Sequence, residues 1–232
     1  MNRLNDKLFS VDFNKYPYPD KLRHHVTSHH YFSVDELKVV PHNYPPAYKS
    51  LDWAEIFLNG KKPNRLDIGC GKGIFLLGIA NENPDFNYLG IEVRDVAVTW
   101  INNYIEGEKV ENCKALFYSV ANGLPFIEDE SIDEIYYLFP DPWPKNKHHK
   151  RRAFNFKFLE EIFRVLKKEG KLFLATDLDY VFAYQTNLLN KFQNFDIIEV
   201  NDNEQWNLPV TNKERFCLVN NIETYKQICF KK

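Results

Sequence analysis

The stretch Phe139 to Arg152 reads FPDPWPKNKHHKRR. It sets an acid, an aromatic ring and a run of cations within a few residues of one another. Asp141 can accept hydrogen bonds from a base edge, and Trp143 can pack. Lys145, Lys147, Lys150, Arg151, Arg152 and Lys157 can meet phosphates. Pro140, Pro142 and Pro144 interrupt the backbone; proline has no N–H and a fixed φ, so a strand cannot run through them. The preceding DEIYYL, Asp133 to Leu138, reads as a buried strand. Asp141 is therefore expected on a stiff loop at a strand end, the edge where ligands sit in open α/β sheets. Basic runs are commonly no more than solvated faces. The prolines and the strand before them favour a site.

A second chemical stretch lies upstream. LDIGCGKG, Leu66 to Gly73, joins an expected strand to an expected helix. Its glycines permit a sharp turn and the close approach of a ligand, and a helix start offers unpaired N–H groups. The spacing is G-x-G-x-G at Gly69, Gly71 and Gly73, with Ile74 where a dinucleotide fingerprint needs glycine. That argues against a nicotinamide enzyme. Asp67 stands just before the turn, and Glu92 ends the next expected strand, where an acid reaches a ribose diol. An acid beside the glycines is awkward for a pyrophosphate and suits a ligand with an ammonium group. S-adenosyl-L-methionine has that group, a ribose diol and no phosphate. The plainer alternative is a tight strand–helix turn with a buried Asp at its edge.

The elements that must carry these stretches alternate. After a short helix over Leu51 to Leu58, strands are expected at Arg65–Ile68, Asn87–Val93, Lys114–Tyr118, Asp133–Phe139 and Lys171–Thr176. Helices are expected at Gly73–Asn81, Arg94–Ile105, Phe154–Leu166 (ended by Gly170) and Asp179–Phe192. Two last strands, near Phe216–Val219 and Tyr225–Phe230, would form an antiparallel hairpin. The fold class is α/β, a mostly parallel sheet with helices on both faces.

The chain has 232 residues, enough for a domain at 51–232 behind an N-terminal extension at 1–50. The extension holds several prolines and no sustained periodicity. In it Lys15, Lys21, Arg23 and the histidines are weak candidates for nucleic acid. His24-His25 and His29-His30 lack a spaced carboxylate or cysteine partner, so a polar surface segment is expected rather than a metal site. A net charge of -2 excludes a globally basic nucleic-acid binder, so polyanion contacts must be local. Cys70, Cys113, Cys217 and Cys229 form no CxxC, which fits a reducing compartment. No run approaches a membrane span and no signal-peptide core is visible. A cytoplasmic protein with no membrane attachment and no obligate protein partner is expected.

The basic signature FPDPWPKNKHHKRR resembles that of the bacterial tRNA (guanine-N7)-methyltransferases of the TrmB type. Ala175-Thr176-Asp177 with Tyr180, and Thr211-Asn212-Lys213-Glu214, resemble two further elements of that family; the likeness spans roughly Arg65 to Arg215. The resemblance implies a Rossmann-like class I methyltransferase with a seven-stranded sheet. It implies methyl transfer from S-adenosyl-L-methionine to N7 of guanosine in the tRNA variable loop. Carried over by position, Asp67 and Glu92 match the family's cofactor-binding acids and Asp141 its active-site aspartate, which is expected to border the cofactor as well. Lys145, Asp177 and Thr211, Asn212, Lys213 and Glu214 match substrate-binding positions. Gly69, Gly71 and Gly73 complete the cofactor loop. Where the family often has an acid or amide for the adenine, this chain has Ser119-Val120-Ala121-Asn122, leaving backbone at Ala121 or the Asn122 amide. Lys150, Arg151 and Arg152 are expected phosphate contacts. N7 has a lone pair and no proton, so the reaction calls for neither a base nor a metal; Asp141 then works by positioning the base. The alternatives are a class I methyltransferase acting on another RNA, a small molecule or a protein, and a non-catalytic RNA-binding module on the same fold.

Overall fold

The computed structural model describes residues 9–19, 27–201 and 203–232. Lys21, Arg23, His24 and His25 lie outside these residues. The sheet has seven strands: β1 (Arg65–Ile68), β2 (Tyr88–Glu92), β3 (Cys113–Phe117), β4 (Ile132–Leu138), β5 (Leu166–Thr176), β6 (Phe195–Glu199) and β7 (Tyr225–Lys231). Their order is β3-β2-β1-β4-β5-β7-β6. β1 to β5 are mutually parallel, and β7 runs antiparallel to both β5 and β6. The chain reverses direction of strand order between β1 and β4, so the ends of these two strands open a crevice at the switch point.

All of β1 is buried, as expected of a central parallel strand covered on both faces. One face packs α1 (Trp53–Ile56), α4 (Phe156–Val165) and α5 (Asp179–Phe192) around Leu66, Ile68, Leu159, Ile162 and Leu189. The other packs α2 (Ile74–Glu82) and α3 (Asp95–Glu108) around Leu76, Ile101 and Tyr136. α2 is apolar on every side from Ile74 to Ala80 and is buried accordingly. Two short helices, α6 (Asn203–Trp206) and α7 (Asn212–Val219), precede β7.

Two expectations fail at the C-terminal half. α4 ends at Val165, not at Gly170. Leu166 is already on β5, and the register jump from Ile132↔Leu166 to Glu134↔Lys171 makes residues 167–170 a bulge, with Glu169 at φ 63. The segment Phe216–Val219 is helix rather than strand; β7 takes β6 as its antiparallel neighbour instead. The side chain of Thr211 accepts from the Glu214 N–H at 2.9 Å, so the T-x-x-E element starts a helix. Only Cys217 and Glu214 of that helix turn inward, leaving Phe216 and Val219 exposed.

Described residues of the extension pack onto the sheet's α2–α3 face. Val11 joins the core beside α2 and α3, the Trp100 indole donates to the Tyr16 carbonyl at 3.2 Å, and Tyr16 packs edge-on to Tyr104. His30, expected on a polar surface, is buried against Tyr44 and Phe117. No described helix is long and apolar enough to cross a membrane.

Candidate active site

The glycine turn follows from its backbone. Gly69, Gly71 and Gly73 all have positive φ, at 79, 60 and 74. Gly73 caps α2 in the left-handed region, and a Cβ there would lie 2.6 Å from Ile101. At Gly69 a Cβ would meet nothing within 4 Å, because it points into the open cleft. The Gly69 and Cys70 N–H groups donate to the Ile91 carbonyl at the end of β2, which holds the turn against the neighbouring strand.

The loop after β4 is bent by strain as well as by proline. Phe139 and Trp143 sit at φ 52 and 42, each costing about 1–3 kcal/mol for a residue with a bulky side chain. The Phe139 N–H still reaches the Ala175 carbonyl at 2.7 Å, and the ladder stops there. Arg152 then braces the loop from within. Its Nε donates to the Pro142 carbonyl at 2.9 Å and an Nη to the Trp143 carbonyl at 3.3 Å, while the guanidinium lies over the Tyr184 ring. Arg152, an expected phosphate contact, thus also ties the loop together. Arg151 is likewise turned onto the Trp143 ring, 4.9 Å from its centroid. Lys145 and Lys150 stay exposed.

These two loops face each other across a cleft. Gly69, Glu92, Ala121, Asp141 and Arg151 all line it. Asp67 lies beneath on β1, paired in register with Gly90 and Tyr136. The Asn122 amide is turned away: its oxygen accepts from the Val34 N–H at 2.8 Å and its NH2 donates to the Tyr44 hydroxyl at 2.9 Å. It lines a neighbouring groove, whereas Ala121 lines this cleft.

The C-terminal element lies outside the lining of this cleft and is engaged in holding itself together. Glu214 is buried and pairs with Lys226 at 2.7 Å. Thr211 is the helix cap, and Lys213 pairs with Asp177 at 2.7 Å, tying α7 to the end of β5. Asn212 is exposed.

Three residues at the cleft are not among the expected cofactor or catalytic residues. His30 and Tyr31 come from the extension, and Tyr31 donates its hydroxyl to Asp141 Oδ2 at 2.9 Å. Arg94 grips Glu92 with Nε to Oε1 at 3.0 Å and an Nη to Oε2 at 2.9 Å. The Gly71 N–H donates to the same carboxylate at 2.8 Å. Glu92 therefore ties the end of β2 to the glycine turn.

Asp67 is the electrostatic outlier. It is buried, and among the described residues its Oδ2 has no hydrogen-bond partner and no cation pairs with it. Burial, and secondarily the Glu92 charge, push its carboxyl up to about 8. The folded chain thus keeps a proton that the unfolded chain loses near the ordinary carboxylate value, 3.8. Between about pH 4 and pH 8 the native state binds more protons, so stability falls as pH rises across that window and levels off above it. Without cofactor, Asp67→Asn is expected to remove that decline. The wild type should lose a few kcal/mol at most relative to the variant between pH 5 and pH 8, read by thermal melts. Parallel curves would show Asp67 ionised in the folded state.

A buried carboxylate oxygen without a partner, a glycine face open to the cleft and a second acid on the next strand fit a ligand that brings cationic and hydroxyl groups. This fold and this cleft define a Rossmann-like, S-adenosylmethionine-dependent methyltransferase. Two solved structures share the fold: a SAM-dependent methyltransferase from Aquifex aeolicus, with a TM-score of 0.50 and 16% identity over 72% of this chain and 81% of that one, and an antibiotic-related methyltransferase, with 0.53 and 18% over 75% and 89%. A family model described as "Putative methyltransferase" matches residues 61–226. A tRNA (guanine-N(7)-)-methyltransferase of Lactobacillus gasseri is 33% identical over 78% of this chain and 81% of its own. One of Prochlorococcus marinus is 30% identical over 89% and 98%. The chain belongs to the tRNA (guanine-N7)-methyltransferase family.

Proposed function

We propose that this chain transfers the methyl group of S-adenosyl-L-methionine to N7 of a guanosine in the variable loop of tRNA. The observation that carries the reading is the placement of Asp141. A proline-held, strained loop presents it over the same cleft as Gly69 and Glu92, with exposed cations following directly.

S-adenosylmethionine, when bound, supplies a methyl group already activated by its sulfonium. Asp67, in its ionised form, and Glu92 are the acids that suit its ammonium and ribose; Gly69 keeps a side chain out of its way, and Gly71 and Gly73 shape the turn. N7 needs no deprotonation, so the protein's task is to hold the base in line. Asp141 does so by accepting from the guanine N–H groups, and its charge offsets the positive charge that develops on the ring. Asp177 with Lys213, and the capped start of α7 at Thr211, Asn212 and Glu214, form the rim that receives the nucleotide. Lys145, Lys150 and the outer edge of Arg151 meet the RNA backbone.

The direct test is nucleoside analysis of tRNA from cells lacking the protein, together with labelled methyl transfer by purified protein to unmodified tRNA. Loss of 7-methylguanosine in the first and its appearance in the second are expected. Intact 7-methylguanosine in the deletion strain, with no transfer in vitro, would reject the reading. The phosphate contacts have their own signature. Lys145→Ala and Lys150→Ala should each flatten the plot of log affinity for tRNA against log salt by roughly 0.7–0.9. Slopes identical to wild type would remove these lysines from the interface.

A further inference from the structure

We infer that Tyr31, carried by the N-terminal extension, is a positioning residue for methyl transfer: its hydroxyl sets the orientation of the Asp141 carboxylate. This rests on the function proposed above. Asp141 is exposed on a proline-held loop, and its carboxylate has two side-chain torsions to be set. A carboxylate that must receive a base edge needs its plane set beforehand. In the structure the Tyr31 hydroxyl donates to Asp141 Oδ2 at 2.9 Å.

The hydroxyl is itself held in place. The Tyr31 ring packs edge-on to Trp143, with centroids 4.9 Å apart, so it touches the catalytic loop on both sides of Pro142. The segment that carries it is tied down at three points in succession. The Ser119 hydroxyl donates to the His30 carbonyl at 2.6 Å, the Tyr44 hydroxyl to the Phe32 carbonyl at 2.6 Å, and the Val34 N–H to Asn122 Oδ1 at 2.8 Å. A capping box between Ser33 and Glu36 stiffens the turn that follows. Ser119 and Asn122 follow β3, so the strap is anchored to the strand ends that form the cofactor cleft. Burial, and then the charge of Asp141, push the Tyr31 hydroxyl far above its ordinary value, which keeps it a donor at neutral pH. The turn around Asn122, expected to serve the cofactor, thus serves the strap, and the strap serves Asp141.

The test uses Tyr31→Phe in the full chain, which keeps the ring on Trp143 and removes only the donor. With unmodified tRNA, kcat is expected to fall about 10-fold. The KM for tRNA and the calorimetric Kd for S-adenosylhomocysteine should stay within twofold. An unchanged kcat would reduce Tyr31 to packing, and a raised kcat would make it a stopper that guanine must displace; either overturns the inference. The double variant Tyr31→Phe/Asp141→Asn separates a positioning role from a loss of folding. If Tyr31 acts through Asp141, the double variant is no slower than Asp141→Asn alone, whereas multiplied losses overturn the inference. Wild-type methylation of tRNA is measured alongside: its absence would strike the proposed function, while its presence with an unaffected Tyr31→Phe would strike this inference alone.

Discussion

Asp141→Asn is expected to lower kcat for tRNA methylation by roughly 100-fold while the Kd for S-adenosylhomocysteine stays within twofold. The size follows from what the amide changes. It is nearly isosteric, so the loop, braced by Arg152 and the prolines, keeps its course. The charge and one of the two acceptor oxygens are lost. Removing one preorganised group that meets developing charge costs about 10²–10³ in rate in a water-excluded site, and the exposed Asp141 belongs at the lower end. The cofactor is spared because its own determinants, Asp67, Glu92 and the glycine turn, belong to β1, β2 and the loop after β1, not to the loop after β4. Single-turnover methylation and calorimetry check the two halves separately. An unchanged kcat would leave Asp141 without a part in the reaction, and a large loss of cofactor affinity would move it into the cofactor site.

The second large effect is on folding and cofactor binding together. Gly73→Ala should destabilise the chain by about 3 kcal/mol, which for a domain of this length lowers Tm by about 6–12 °C. Two terms add. A left-handed residue with a Cβ costs about 1–2 kcal/mol, and Gly73 is at φ 74. The new methyl would also stand 2.6 Å from Cγ1 and 2.7 Å from Cδ1 of Ile101, which is fully buried and cannot step aside cheaply; overpacking of that kind costs about 1–3 kcal/mol. Because Gly73 caps α2 and ends the cofactor turn, relief of the clash must displace that turn. Affinity for S-adenosylhomocysteine should therefore fall by at least about 10-fold. A Tm within 2 °C of wild type would mean that the α2–α3 contact is looser than its geometry.

The Asp67, Lys145 and Lys150 predictions act through electrostatics and separate in kind. The first appears as a pH dependence of stability in the absence of ligand. The other two appear only when RNA is present and only through ionic strength.

The parts of this protein that local chemistry determines were legible in its sequence. β1, four buried residues before a glycine turn, and α5, with its unbroken helical spacing, match the expected bounds residue for residue. The proline loop was legible because proline acts on its own backbone, wherever the chain goes. Asp67, Glu92, Gly69 and Asp141 were legible because each stands at the end of an expected strand. What failed needed partners distant in sequence. Phe216–Val219 looks like a strand until Thr211 and Glu214 are seen to cap a helix and Lys226 to bury the acid. β6 has only one buried residue, Phe195, and exists because β7 offers it an edge. Arg152 lies in a basic run and is indistinguishable there from a phosphate ligand; only the folded loop shows that two carbonyls and a ring claim it. Tyr31 lies 110 positions from Asp141. A hydrogen bond leaves no periodicity in either segment, so only the packed chain could bring that hydroxyl to that carboxylate.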